Sequence, residues 1–345
     1  MTHDKLLGVE YLVPDELADC RARGWRDVLG VALFAGDGMP IDAADVPVAQ
    51  VAMRPLGTRP ALCEVWRAAG PLTSGRVGRV HYRASRHLAF GCIELAEAGA
   101  AATVADGAAL REIASSAYGE IFRCLKALGL PRAIRIWNYL PEINREAGGV
   151  ERYRLFNEAR RQAFESFDCD VRGNVPAASA LGSPAGGSLV VYFLAGTDPG
   201  IAIENPRQLA AYDYPPDYGE FSPTFSRATL ATAPGGPVLL VSGTASIVGH
   251  RTVHAGDVIG QTRETVTNIR ALVGEANRVM GAELFAPERL QYKAYVRRAA
   301  DLEAVAAEFV AAVHPAAPVV YLHGEVCRAD LLVEIEAVGC GAGRP

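Results

Sequence analysis

Between Val320 and Val338 the chain reads VYLHGEVCRADLLVEIEAV, two short apolar runs joined by a turn at Arg328–Ala329–Asp330. Alternation in the second run places Leu331, Val333, Ile335 and Ala337 on one face of a strand. Glu334 and Glu336 share the other face, about 7 Å apart at strand spacing. This is either an edge strand with a solvated face or a carboxyl held over a site, because unpaired burial of two carboxylates is costly.

Helical spacing of Leu110, Ile113, Ala117, Ile121, Leu125 and Leu128 predicts a helix stopped by Gly129, with Pro131 just beyond. The strand RAIRIWNYL follows, with Arg135, Trp137 and Tyr139 on one face. Next, ERYRLFNEARRQAFESF reads as a helix with Phe156, Ala159, Ala163 and Phe167 inward. Arg160 breaks that pattern, lying beside Tyr153 on the flank of the apolar side. It pairs with an internal carboxylate, snorkels, or awaits an anionic ligand.

The order recurs after Pro237: the strand PVLLVSGTASIV, the helix QTRETVTNIRALVGEANRVM, and the strand QYKAYVRR with Gln291, Lys293, Tyr295 and Arg297 on one face. A second helix, LEAVAAEFVAAV, leads to the closing strand pair. This is a weak internal duplication. Helices cover only one face of each sheet, so the face with Glu334, Lys293 and Arg297 must meet solvent or another domain.

Residues 171–187, rich in Gly, Pro, Ala and Ser, are the candidate boundary, with SLVVYFLAG opening the second half. The expected fold is α+β, with two domains, 1–175 and 185–345, each a mixed sheet with helices packed on one face. Residues before about 75 look irregular and strand-rich, with Trp25 and Trp66 as packing residues. The proline-interrupted stretch from Glu204 to Thr229 carries Tyr212, Tyr214, Tyr218, Phe225 and Arg227. It is a functional loop or a packed cover.

Composition narrows the function classes. The 345 residues are half hydrophobic, with a formal net charge of −5, which gives no sign of a nucleic-acid partner. No apolar run is long enough to span a membrane. The seven cysteines include no CxxC pair and read as reduced thiols of a cytoplasmic protein. P-loop, GxGxxG, GxSxG and HExxH patterns are missing, and His250 with His254 lack a third ligand nearby. Neither a metal nor a cofactor is expected.

The stretch from Ser242 to Val273, with LLVEIEAV after it, resembles the YjgF-type deaminase fold, which is also chorismate-mutase-like. Over nearly the whole chain the resemblance is closer to the chorismatases, two-domain relatives that split chorismate and release pyruvate. It is carried by RIWNYLPEIN, GVERYRLFNEARRQAF, NVPAASALG, AIENPRQ, AYDYPPDYGEFSPTFSRA, SGTASIVGH and LLVEIEAV, in that order. The deaminases carry an arginine near the position of Val319, which disfavours their chemistry here.

The resemblance implies a dianionic substrate held by cations and hydroxyls. The candidates are Arg160, Arg227, Lys293 and Arg297, with Tyr153, Tyr212 and Tyr295. Glu334 matches the family's acid, Glu336 is structural, and Cys327 and Gly243 shape the space beside the acid. The expected products are pyruvate and 3-hydroxybenzoate, an aromatic starter unit for secondary metabolism. One alternative is hydrolysis to pyruvate and a dihydroxycyclohexadiene carboxylate. The other is a YjgF-like module that binds a metabolite without turnover. Fusion of two domains favours a monomer over the trimers of one-domain relatives.

Overall fold

The computed structural model describes residues 7–36, 43, 45–97, 107–130, 132–233 and 235–341. Strands β1 (Leu7–Leu12), β2 (Val28–Ala35), β3 (Val48–Ala52) and β4 (Ala61–Ala68) form a four-stranded sheet, with helix α1 (Pro14–Ala22) after β1. Next come β5 (Thr73–Val77), β6 (Val80–Ala84), β7 (Leu88–Ala96), α2 (Ala108–Leu128) and β8 (Arg132–Pro141). A short hairpin, β9 (Glu146–Ala147) and β10 (Val150–Glu151), leads to α3 (Arg152–Ser166), β11 (Ala177–Ser183) and β12 (Ser188–Gly196).

The later part contains β13 (Ile201–Ile203), β14 (Ala228–Ala233), β15 (Gly236–Ala245) and the small pair β16 (Ile247–Val248) and β17 (Arg251–Thr252). Helix α4 (Val258–Met280), β18 (Gln291–Val296), α5 (Leu302–Ala312), β19 (Val319–His323), β20 (Glu325–Val326) and β21 (Val333–Cys340) complete it. One large sheet runs β20-β11-β8-β12-β7-β6-β5 and the other β13-β14-β15-β21-β18-β19. The α+β architecture, with mixed sheets and helices on one face of each, is as expected.

The two long helices start and stop on local chemistry. The buried stripe of α2 includes Leu110, Ile113, Ala117, Ile121 and Leu125, and the helix ends at Gly129 with φ +64°. On α4, Asp257 caps the N-terminus by accepting from the Gly260 N–H, and Gly281 closes the helix, again at φ +64°. Glycine takes this left-handed conformation without a Cβ clash. Pro131 lies outside the described residues.

The expected boundary at 171–187 is not where the sheets divide. That stretch contains β11, and β12 is a strand of the seven-stranded sheet, pairing with both β7 and β8. The chain passes to the next sheet between Gly196 and Ile201. The small residues that read as a linker allow close approach instead. The Ala177 and Ala178 N–H groups donate to Thr229 Oγ1 and Ser242 Oγ of the six-stranded sheet, both at 2.9 Å. Likewise, β21 is no edge strand: it lies between β15 and β18.

Each large sheet has a core against its helices. A further core joins all three sheets, with Phe34 and Trp66 from the four-stranded sheet, Trp137 and Tyr192 from the seven-stranded, and Leu240 and Tyr295 from the six-stranded. At its centre is a buried chain of charges. Glu64 on β4 pairs with Lys293 on β18. Lys293 Nζ is also 2.7 Å from Glu336, which lies 2.8 Å from Arg135 on β8. Burial works against the Lys293 ammonium, but the Glu336 and Glu64 carboxylates outweigh it and hold its pKa well above the usual lysine value.

Lys293→Met leaves two buried carboxylates without their shared cation. We expect a loss of about 3–5 kcal/mol in unfolding free energy, measured from urea transitions. A loss below about 1 kcal/mol would mean that the ammonium does not hold the sheets together.

Candidate active site

A cavity of about 350 Å³ opens where α3, the loop before β14, the end of β15 and the β20–β21 turn come together. Glu334 of β21, Gly243 of β15 and Cys327 after β20 all line it. The register between β15 and β21 slips by one residue between Val241 and Thr244. This bulge places Gly243 against the acid. A Cβ built on Gly243 would lie 1.8 Å from Glu334 Oε1. Only glycine leaves room for the carboxyl.

The Glu334 side chain is 3% exposed, but none of the described residues hydrogen-bonds its carboxyl. Burial raises its pKa to about 8, and the Glu336 charge adds to the rise against Arg135, Arg297 and Arg227. Glu334 therefore keeps its proton at neutral pH. Glu336 behaves oppositely: burial would raise it, but Lys293 and Arg135 hold it below the usual carboxylate value.

Cations and aromatic rings form the opposite wall. Arg227 is buried, donates to Leu209 O and Tyr214 Oη at 2.7 Å, and lies over the Phe225 ring at 5.2 Å. Its Nε has no hydrogen-bond partner among the described residues. Arg328 stacks on Tyr218 at 4.1 Å and on Tyr214 at 5.2 Å. Arg154 and Arg251 stand at the rim.

Residues 64–195 match the family model described as Chorismatase FkbO/Hyg5-like, N-terminal. A curated chorismatase of Streptomyces hygroscopicus is 37% identical over 284 residues, covering 81% of this chain and 79% of that protein. The chain belongs to the chorismatase family. A protein named 3-hydroxybenzoate synthase, also from Streptomyces hygroscopicus, is 41% identical over 239 residues, covering 66% of this chain and 69% of its own length. A chorismatase crystal structure superposes with a TM-score of 0.83 at 32% identity, covering 97% of this chain and 98% of that one.

The chorismatase fold gathers some of the expected site residues and separates others. Glu334, Cys327, Gly243, Tyr153 and Arg227 line the one cavity. Lys293 and Tyr295 do not: Lys293 is fully buried in the charge chain, and the Tyr295 hydroxyl meets that of Tyr139 at 2.8 Å. They share a strand face with the site, but that face is covered by the other sheets. Arg297 spends its donors on Leu331 O, Val326 O, Arg328 O and Asn144 Oδ1, so it fastens the β20–β21 turn. Arg160 sits behind the wall, bonded to Tyr118 Oη at 2.7 Å and to Thr224 O. Tyr212 is not a lining residue of the cavity and interacts with Glu204 instead.

The loop's cavity residues are instead Tyr214, Tyr218 and Phe225, and the further cation is Arg328. The aromatic loop was the available signal for the first three. Arg328 gave none, since its partner rings lie more than a hundred residues earlier.

A proton held more tightly in the folded state has a measurable consequence. The Glu334 pKa is about 8, against an ordinary 4.5, so its contribution to stability falls as pH rises between those values. Glu334→Gln cannot ionise. Its Tm should match the parent near pH 4.5 and exceed it by a margin that grows up to about pH 8. A margin that stays constant from pH 5 to pH 9 would show that Glu334 ionises normally.

Proposed function

We propose that this chorismatase cleaves chorismate to pyruvate and 3-hydroxybenzoate with Glu334 as the proton donor. The observation that carries this reading is a neutral carboxyl to which no described residue hydrogen-bonds, facing a cavity walled by arginines. Chorismate carries two carboxylates, and Arg227 and Arg328, both lining the cavity, supply fixed positive charge for them. Tyr153 adds a hydroxyl that burial keeps protonated, since its pKa lies well above the usual tyrosine value.

Glu334 gives its proton to the terminal methylene carbon of the enolpyruvyl group. The ether carbon becomes oxocarbenium-like, and Glu334 is left as a carboxylate that can take a proton back. The neighbouring ring hydroxyl then displaces the ether oxygen, pyruvate leaves, and the strained ring intermediate aromatises. No bound group beyond the side chains is called on.

Cys327 favours this route over hydrolysis. Burial pushes its thiol to about 12, with the Glu334 charge adding to the rise, so it stays neutral. It packs with Ala245, Ile247, Val326 and Leu331 and fills volume that a hydrolytic water needs. The relative named 3-hydroxybenzoate synthase supports the same product.

No described helix is long and apolar enough to cross a membrane. None of the seven cysteines is in a disulfide, which supports a reducing, cytoplasmic setting. Three sheets sharing one core within a single chain support a monomer.

Two outcomes test the reading. Glu334→Gln should lose at least about a hundredfold in chorismate turnover while keeping substrate affinity. Turnover near the parent rate would remove Glu334 as the donor. Cys327→Ala should divert part of the product to the dihydroxylated diene, resolved by chromatography and mass. If 3-hydroxybenzoate remains the sole product, Cys327 does not control the route.

A further inference from the structure

The cavity takes no residue from the four-stranded sheet, yet that sheet is connected to Glu334 through charge. Glu336 receives four donors: Arg135 Nη2 at 2.8 Å, Ser179 Oγ at 2.7 Å, Trp137 Nε1 at 2.9 Å and Lys293 Nζ at 2.7 Å. A carboxylate so fully bonded stays ionised. Lys293 would cancel that charge if it had no other partner. Glu64 provides one, and is itself held by Trp66 Nε1 at 2.7 Å and Tyr192 Oη at 3.0 Å.

Ser179 carries a second connection. Its Oγ accepts the Gly243 N–H at 2.9 Å, and Gly243 is the residue whose missing Cβ makes room for the Glu334 carboxyl. One arm of the network thus fixes charge and the other fixes shape. Both end at Glu334.

We propose that Glu336 and Glu64 are positioning residues for the acid: Glu336 is a fixed anion that keeps the Glu334 proton in place, and Glu64 keeps Lys293 from neutralising Glu336. The proposal rests on Glu334 being the proton donor. Neither residue lines the cavity. The groups acting on Glu334 are Arg135 from β8, Arg297 just after β18, Arg227 just before β14, Cys327 after β20 and Tyr153 from α3. The cavity rim adds Glu151, Arg154, Asp217, Arg251, Arg328 and Asp330. The arginines all favour loss of the proton, and Glu336 is the close anion that opposes them. The chain of Glu64, Lys293, Glu336 and Arg135 balances two anions with two cations. Removing either anion leaves excess positive charge near Glu334.

The test is the pH dependence of kcat/KM, whose basic limb reports the acid in the free enzyme. Glu336→Gln should move that limb down by about one pH unit or more. Its loss at pH 6 should be smaller than the roughly hundredfold cost of losing the acid itself. Glu64→Gln should move the limb in the same direction by less. A merely structural role would lower activity at every pH and leave the limb in place.

A ¹³C NMR titration of the Glu334 carboxyl in substrate-free protein, assigned with Glu334→Gln, reads the same shift without chorismate. It therefore stands even if the substrate reading fails. A Glu334 titration that stays put, or moves up, in whichever of the two variants folds overturns the proposal.

Discussion

Two carboxylates on one buried face of a strand, two residues apart, cannot both be charged without help. Like charges so close in a poorly hydrated interior force a division of roles. In this protein Glu336 takes the direct ion pairs, and no described residue forms one with Glu334. Glu336 needs Lys293 from its own sheet and Arg135, Trp137 and Ser179 from the neighbouring one. Lys293 then needs Glu64 from a third. The docking of three sheets and the protonation of one side chain are the same electrostatic problem.

Close approach is the other requirement. The sheets meet through small residues on β11, whose amides bond to side chains across the seam. The bulge at Gly243 then leaves a recess the size of a carboxyl. Larger side chains at these positions would part the sheets or expel the acid. Around the recess, arginines lie on aromatic rings, which keeps their positive charge in a fixed place at low entropic cost.

Much of this was legible in the sequence because it is periodic. The two long helices and the Glu334/Glu336 face of β21 follow from spacing, and Gly129 from its place after the first helix's last apolar residue. The shared face of Lys293, Tyr295 and Arg297 was also legible, but its partner was not. Lys293 meets Glu64, 229 residues away, and no local pattern distinguishes that from a ligand-facing lysine. Arg297 was misplaced for a related reason: its acceptors are backbone carbonyls of a turn, which carry no side-chain signature, and Asn144, 153 residues away. In the proline-rich loop, with its two short 3₁₀ turns, Tyr214 and Tyr218 line the cavity while Tyr212 does not. Its composition marks a special loop but not its phase. The Ala-rich β11 was hidden because alanine carries little strand preference.

The pairing of β20 with β11 has a bearing on biosynthesis. β11 ends at Ser183, but its outer neighbour, Glu325–Val326, is synthesised well after it. Until then that edge of the seven-stranded sheet lacks the strand that covers it. A nascent chain stalled before Glu325 would present an open strand edge, with Lys293 and Arg135 still lacking Glu336. A fluorescent or affinity tag placed between Glu325 and Cys340 would therefore disturb both large sheets, not only the strand that carries it.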